Sequence, residues 1–293
     1  MKTTTDYIIA IPSYKRPNII QTKTLATLKR HHIPRTKIAI FVADATEYDI
    51  YKKTIPRTLY GKLIIGEPTL KNQRNFISNY YPEGTQIVQL DDDLDEIVQL
   101  HRRPSTQINT QRYTTPAAQR KAANYLKPIT NLDKFIKTAF TLCREKGAYI
   151  WGIYPIANAY FMTDTVTSDL RFIVGPMWGI INRHSPDLHL TIDEKENTQR
   201  TLQYWVKDGA VIRFNNISII TNYYRNLGGM QATNTNRAKS AMKSAQFLKA
   251  MYPHLTRISL RPKTGFPEVR LLRGVGKLGK KVEKVVTIKR KSV

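Results

Sequence analysis

The chain has 293 residues, of which 41% are hydrophobic, with 47 Lys+Arg against 22 Asp+Glu and a formal net charge of +25. No run of about 18 apolar residues occurs, which excludes a membrane-spanning helix and leaves an ordinary globular core. The charge favours polyanionic partners, and it is concentrated. Residues 101–130 hold six Lys/Arg and no acid, and residues 255–293 hold twelve against two Glu.

In chain order, Tyr7-Ile8-Ile9-Ala10-Ile11 is a continuous apolar run, as expected of a strand covered on both faces. It enters the loop Pro12-Ser13-Tyr14-Lys15-Arg16-Pro17, and a helix is expected over about 21–31. Lys37-Ile38-Ala39-Ile40-Phe41-Val42-Ala43 is a second buried strand, followed by a helix over 46–54. Lys62-Leu63-Ile64-Ile65 is a third strand, and a helix runs over 71–81. Gln86-Ile87-Val88-Gln89-Leu90 is a fourth strand, and it leads into Asp91-Asp92-Asp93. This βαβαβαβ order predicts a parallel sheet with right-handed crossovers. The loop over 12–17 and the aspartates then lie outside carboxyl ends of strands, where such sheets bind ligands.

Residues 101–130, rich in Thr, Gln and Asn, read as a mobile basic excursion of lid-like length. A helix capped by Thr130 or Asn131 follows over 131–146. Cys143 lies on its apolar stripe as a packing residue, and a single cysteine fits a reducing, cytoplasmic compartment. The start of the chain lacks an apolar secretory segment, which supports the same expectation. Residues 149–154 resume a strand pattern. Residues 170–175 and 178–181 read as a hairpin about Pro176. A helix over 194–208 closes at Gly209, two short strands occupy 210–214 and 217–221, and an amphipathic helix covers 238–251. The basic tail holds short strands at most.

Three adjacent carboxylates repel one another, and desolvation near a core adds to the cost. A hard divalent cation bound by one or two of them, and completed by substrate phosphates, relieves both. The same cluster also suits a helix N-terminus. There is no Gly-x-x-x-x-Gly-Lys-[Ser/Thr] loop, no Cys/His zinc pattern and no Gly-x-Ser-x-Gly elbow. A P-loop NTPase, a zinc enzyme and an α/β-hydrolase are therefore disfavoured.

The Pro12-Ser13-Tyr14-Lys15-Arg16-Pro17 loop, the strand ending at Ala43-Asp44, Lys71-Asn72-Gln73-Arg74-Asn75 and the aspartate run together resemble the nucleotide-sugar half of GT-A glycosyltransferases of the family-2 type. The resemblance implies an α/β, Rossmann-like, mostly parallel sheet flanked by helices, with a smaller mixed sheet on the acceptor side. It implies one catalytic domain over 1–254, with the donor half at 1–100 and the acceptor half at 131–254, and a basic extension over 255–293. It implies a DXD motif in which Asp91 and Asp93 hold Mn²⁺ or Mg²⁺, with Asp93 the favoured direct ligand. Pro12, Tyr14, Arg16, Asp44, Lys71, Arg74, Asp91 and Asp92 would then hold the nucleotide-sugar donor. Tyr14 would border the base, Asp44 would accept a base N–H, and Arg74 would approach base or pyrophosphate.

Residues 147–158, Lys195-Glu196-Asn197, Asp208-Gly209 and Leu227-Gly228-Gly229 resemble a narrower group of viral and phage GT-A-like proteins associated with base hydroxylases. The resemblance implies glycosylation of hydroxymethylated DNA bases, in a host cytoplasm, with DNA as partner; a protein, lipid or polysaccharide acceptor, and a non-catalytic nucleic-acid-binding role on the same fold, stand open beside it. That group carries Lys-Glu-Asp where this chain has Lys195-Glu196-Asn197. An amide cannot take a proton, so Glu196 is the candidate base, with Asp193 second. Glu196 equally suits a first-turn carboxylate favoured by the helix dipole. His184 and His189 are either loop residues or a late metal ligand. Trp178 is either core or acceptor-lining. Gly228-Gly229 is either a turn or a close approach to substrate.

Overall fold

The structure, a computed structural model, describes residues 6–109, 111–221, 237–272, 274 and 287–288. Leu227-Gly228-Gly229 and most of the basic tail beyond Leu272 lie outside the described residues.

Strand β1 (Tyr7–Pro12) leads into a helical segment of α1 (Pro17–Ile20), a π-helical stretch (Gln21–Leu25) and α2 (Ala26–Arg30). This segment starts four residues before the expected position, because Pro17 sits at its first turn with φ already suited to a helix. The alternation β2 (Ile38–Val42), α3 (Ala45–Thr54), β3 (Lys62–Ile65), α4 (Leu70–Tyr80) and β4 (Gln86–Leu90) then follows. Strands β2 and β4 are buried along their whole length. Next come β5 (Leu94–Arg102), α5 (Pro116–Ala122), β6 (Asn124–Pro128), α6 (Leu132–Glu145), β7 (Ile150–Ile153), β8 (Val166–Thr167) and β9 (Met177–Ile181). The order closes with α7 (Glu196–Asp208), β10 (Ile212–Phe214), β11 (Ile217–Thr221), α8 (Arg237–Met251), β12 (Thr256–Leu260), β13 (Pro267–Leu271) and β14 (Thr287–Ile288).

The main sheet has the order β14-β8-β10-β7-β9-β4-β1-β2-β3. Strands β3, β2, β1 and β4 are mutually parallel. Strand β9 runs antiparallel to both β4 and β7, and β10 is parallel to β7. Strand β8 is antiparallel to β10 and to β14, so seven strands point the same way and their carboxyl ends share one rim. One face is packed by Ile20, Leu25, Leu28, Tyr51, Phe140 and Trp151. The other is packed by Phe41, Ile77, Trp178, Leu202, Trp205 and Leu248. Cys143 is fully buried on α6, as its stripe predicts. Asn131 caps α6 by accepting from the Lys134 N–H at 2.8 Å. Helix α7 ends at Gly209 with φ 75°, a conformation glycine adopts without strain. No described helix is long and apolar enough to cross a membrane.

Two expectations need correction, and one strand is additional to them. Residues 94–102 form β5, the centre of a second sheet of order β11-β5-β6. Its acids Asp95 and Glu96 interrupt the apolar signal. Lys23 at 2.9 Å and His31 at 2.7 Å respectively neutralise or bond them. The excursion over 101–130 contains α5 and β6, and β6 pairs antiparallel with β5 from Asn124 to Pro128. Backbone pairing, which composition does not report, builds residues 124–128 into this second sheet. The hairpin about Pro176 does not form. Residues 170–175 are apolar because Leu170 and Ile173 pack near α7, and the Ile173 N–H donates to Thr201 Oγ1 at 3.1 Å instead of to a strand.

Candidate active site

The three aspartates occupy the tight turn between β4 and β5, on the rim where β1, β2 and β3 also end. Each has a different environment. Asp92 is buried, and its two oxygens accept from Ser13 Oγ at 2.6 Å and Arg16 Nη1 at 3.0 Å. Ser13 Oγ lies 2.7 Å from the Tyr51 hydroxyl, which itself accepts the Arg16 backbone N–H at 3.0 Å. Since Ser13 gives its single proton to the carboxylate, Tyr51 donates to Ser13, and the chain of bonds has one direction. This network ties the β1 loop to the aspartate turn. Burial pushes the Asp92 carboxyl up to about 6, against the opposing pull of Arg16 and Ser13.

Asp91 is partly open to solvent. Its Oδ1 accepts from Arg74 Nη2 at 3.2 Å, and its backbone N–H donates to Pro176 O at 3.0 Å. Desolvation raises its carboxyl above the ordinary range, opposed first by Arg74. Asp93 Oδ1 accepts from Thr221 Oγ1 at 3.2 Å, and Arg16 Nη1 lies 3.5 Å from its Oδ2.

Behind Asp91 lies a buried cluster that links the two halves of the chain. Arg74 is 3% exposed and donates to Gln89 Oε1 at 2.7 Å, while its Nε stands 4.0 Å from Glu196 Oε1. That separation is a charge contact and is too long for a hydrogen bond. Glu196 is 4% exposed at the first turn of α7. Burial raises its carboxyl, Arg74 and Arg200 pull it down, and Asp91 pushes it up further. Arg200, one helical turn from Glu196, lies 3.4 Å over the Trp178 ring and donates to Asn197 Oδ1 at 2.7 Å. Burial first, then the Arg74 charge, push its guanidinium down to about 9, which leaves it charged at neutral pH. Two guanidiniums and Glu196 thus share one desolvated site, with Asp91 at its solvent edge.

The structure therefore brings together Asp91, Asp92, Asp93, Arg16, Arg74 and Glu196. Pro12 ends β1, and Tyr14 follows it with Lys15 Nζ 5.1 Å from its ring. Asp44 lies on the same rim as the N-cap of α3, accepting the Glu47 N–H at 2.9 Å with Oδ1. Lys71 and Asp193 hold each other. Asp193 accepts the Lys71 N–H at 3.1 Å, with Nζ at 3.8 Å, so Asp193 braces the start of α4. His184 lies past β9, whose Ile181 pairs with Gln86 at the start of β4. It is therefore at the opposite end of the sheet from the aspartates, with its Nε2 2.8 Å from Tyr81 O. His189 is exposed, and its carbonyl accepts from Gln203 Nε2. Neither histidine reaches the aspartates. Trp178 is buried beneath Arg200 and is therefore a core residue that also supports the site.

Ser13, Tyr51, Gln89 and Arg200 were not singled out by sequence. Two signals existed: Gln89 is polar inside an otherwise apolar strand, and Arg200 follows Glu196 at the i,i+4 spacing of one helix face.

Among the described residues, no group of three or more His, Cys, Asp and Glu side chains could hold a metal. The donor set still fits a divalent cation of the kind that keeps one or two carboxylates and takes the rest from phosphates and water. Asp91 and Asp93 are hard oxygen donors two residues apart on an open turn, and Asp92 is committed to Ser13 and Arg16.

The sheet order, with its carboxylate turn at the end of β4, defines an α/β GT-A architecture. One solved structure shares this fold. Staphylococcus aureus TarS 1-349 in complex with UDP-GlcNAc is similar to this chain with a TM-score of 0.51 at 12% identity, over 83% of this chain and 66% of that one. A second S. aureus TarS structure has a TM-score of 0.43 at 12% identity, over 71% of this chain and 35% of that one. The chain thus spans less than two thirds of the length of each of these structures. No family model matches the sequence, and no curated protein does.

Proposed function

We propose that the protein is a metal-dependent glycosyltransferase that moves a sugar from a nucleotide-sugar, a UDP-sugar first, to a hydroxyl acceptor. The observation that carries this reading is Arg74, which joins the aspartate turn to the buried Glu196 across one site. The UDP-GlcNAc held by the similar fold supports the choice of donor.

Each residue then has a role. Tyr14 and Asp44, on adjacent strand ends, border the base. Arg16, held at 3.0 Å from Asp92, approaches the diphosphate. A divalent cation held by Asp91 and Asp93 would neutralise charge on the departing diphosphate. Glu196 takes the proton of the acceptor hydroxyl. Burial makes it a stronger base than an ordinary glutamate, and Arg74 and Arg200 stabilise its charged form. A base in this position favours inversion at the sugar carbon.

For the acceptor, the finer reading is a hydroxymethylated base in DNA, as the viral and phage resemblance implies. Its support is the charge of +25, concentrated in 101–130 and 255–293. A base flipped from the stack would bring its hydroxyl to Glu196.

The test is incubation with a panel of nucleotide-sugars and Mn²⁺ or Mg²⁺, scoring release of the nucleoside diphosphate, beside Asp93→Ala. Release with one donor that disappears in the variant is the expected outcome. Full activity of Asp93→Ala overturns the metal assignment, and no release with any donor overturns the transferase reading. Hydroxymethylated and unmodified duplexes separate the acceptors.

A further inference from the structure

A second cleft lies at the other end of β5. Arg102 lies nine residues beyond Asp93 along this strand, about 30 Å at the usual rise per residue. The cleft has a volume of about 510 Å³ and lies between β5, β6, α5 and the 160–164 loop. Two aromatic rings stand at its mouth. Tyr160 is 51% and Phe161 60% exposed, and they meet edge to face at 5.0 Å. Rings this exposed gain little from the core, and folding alone gives no reason for two adjacent ones beside a cavity.

Cations surround them. Lys121 Nζ lies 4.2 Å from the centre of the Tyr160 ring, and the exposed Arg102 lines the same cleft. Beside it, Arg103 and Lys127 flank Tyr125 at 5.2 and 5.5 Å. His101, also lining the cleft, has a buried Nε2 with no hydrogen-bond partner among the described residues. The stretch 101–130 contains no acid. One acid lines the cleft, Asp164, and its Oδ1 accepts from Asn216 Nδ2 at 2.8 Å.

We propose that this cleft binds single-stranded nucleic acid, with bases stacked on Tyr160 and Phe161 and phosphates on Arg102 and Lys121. Exposed rings interleaved with cations are what unstacked bases and their backbone require. A neutral glycan would use the rings and leave the cations idle, whereas a polyanion without bases would do the reverse. A duplex keeps its base faces stacked and offers nothing to the rings. At about 30 Å from the aspartates, the cleft holds a strand away from the reacting atoms. The inference rests on the cleft alone and does not depend on the transferase reading.

The test is fluorescence anisotropy of a labelled oligothymidine on the full chain, without donor or metal, against an abasic strand of equal length. Tyr160→Ser and Phe161→Ser should each weaken oligothymidine binding about tenfold and leave the abasic strand unchanged. Tyr160→Trp should retain or tighten it. Lys121→Ala should lower the slope of log affinity against log salt by about 0.7. Equal affinity for both strands, or no change on removing the rings, overturns the proposal in favour of general electrostatic attraction. Displacement by a neutral oligosaccharide overturns it in favour of a glycan subsite. Retained strand binding in a protein that releases no nucleoside diphosphate sinks the transferase reading and leaves this one standing.

Discussion

The two ends of β5 treat charge in opposite ways. At Asp91-Asp92-Asp93 the carboxylates and the arginines that meet them lie close together, and Arg74, Arg200, Asp92 and Glu196 are all buried. At Arg102 the cations are exposed and share their surroundings with aromatic rings. Burial makes each charge at the first end depend on its neighbours, because an unpaired ion in a desolvated site is costly. At the second end solvent screens each charge, and removal of one leaves the others untouched. The first arrangement suits chemistry, which needs shifted proton affinities, and the second suits contact with a charged polymer.

The contrast can be broken by measurement. The largest effect is expected from Glu196→Gln, which keeps the shape of the side chain and removes the base. It should lower kcat about a thousandfold with little change in KM for the donor. In the unaltered protein the rate should rise with pH through a value above the ordinary glutamate range, since burial raises that carboxyl. A pH profile flat through that region would remove Glu196 from the reaction.

Next comes Ser13→Ala, which takes a bond from Asp92 and another from Tyr51 in a buried site. A cost of about 1–3 kcal/mol in denaturant unfolding is expected. The Asp92 carboxyl, at about 6, should move higher still, because the Ser13 bond favours its charged form. A carboxyl raised on folding stabilises the folded state fully below its unfolded value and loses that contribution as pH rises through about 6. Carbon-13 titration of the aspartates follows both the variant and the parent. The smallest effect is expected at the other end of β5. Lys121→Ala should change stability by no more than about 0.5 kcal/mol, as for other surface substitutions. A larger loss there would show that the two ends are built alike.

Much of the donor half was legible because its strands are short continuous apolar runs, and its loops carry proline or aspartate at their ends. Asp91-Asp92-Asp93 stood out as adjacent carboxylates in a basic chain, and Arg74 was legible through the resemblance of residues 71–75 to a known pattern. Other parts were misread for a common reason. Strand β5 carries Asp95 and Glu96, and its acids look polar until Lys23 and His31 are seen beside them. Residues 170–175 look like a strand because packing against a helix demands the same apolar residues as pairing in a sheet.

By itself, the sequence determined the βαβαβαβ order, the position of the carboxylate turn after the fourth strand, and the uneven charge. Each is local, a matter of periodicity or of neighbours along the chain. Only the tertiary structure decided that Asp92 is committed to Ser13 and Arg16, that Asp193 serves Lys71, and that Glu196 and Asp91 face the same arginine. The physical reason is distance along the chain. Arg74 and Glu196 are more than a hundred residues apart, and the pairing of two buried ions is decided by how β9 and α7 pack against the parallel strands.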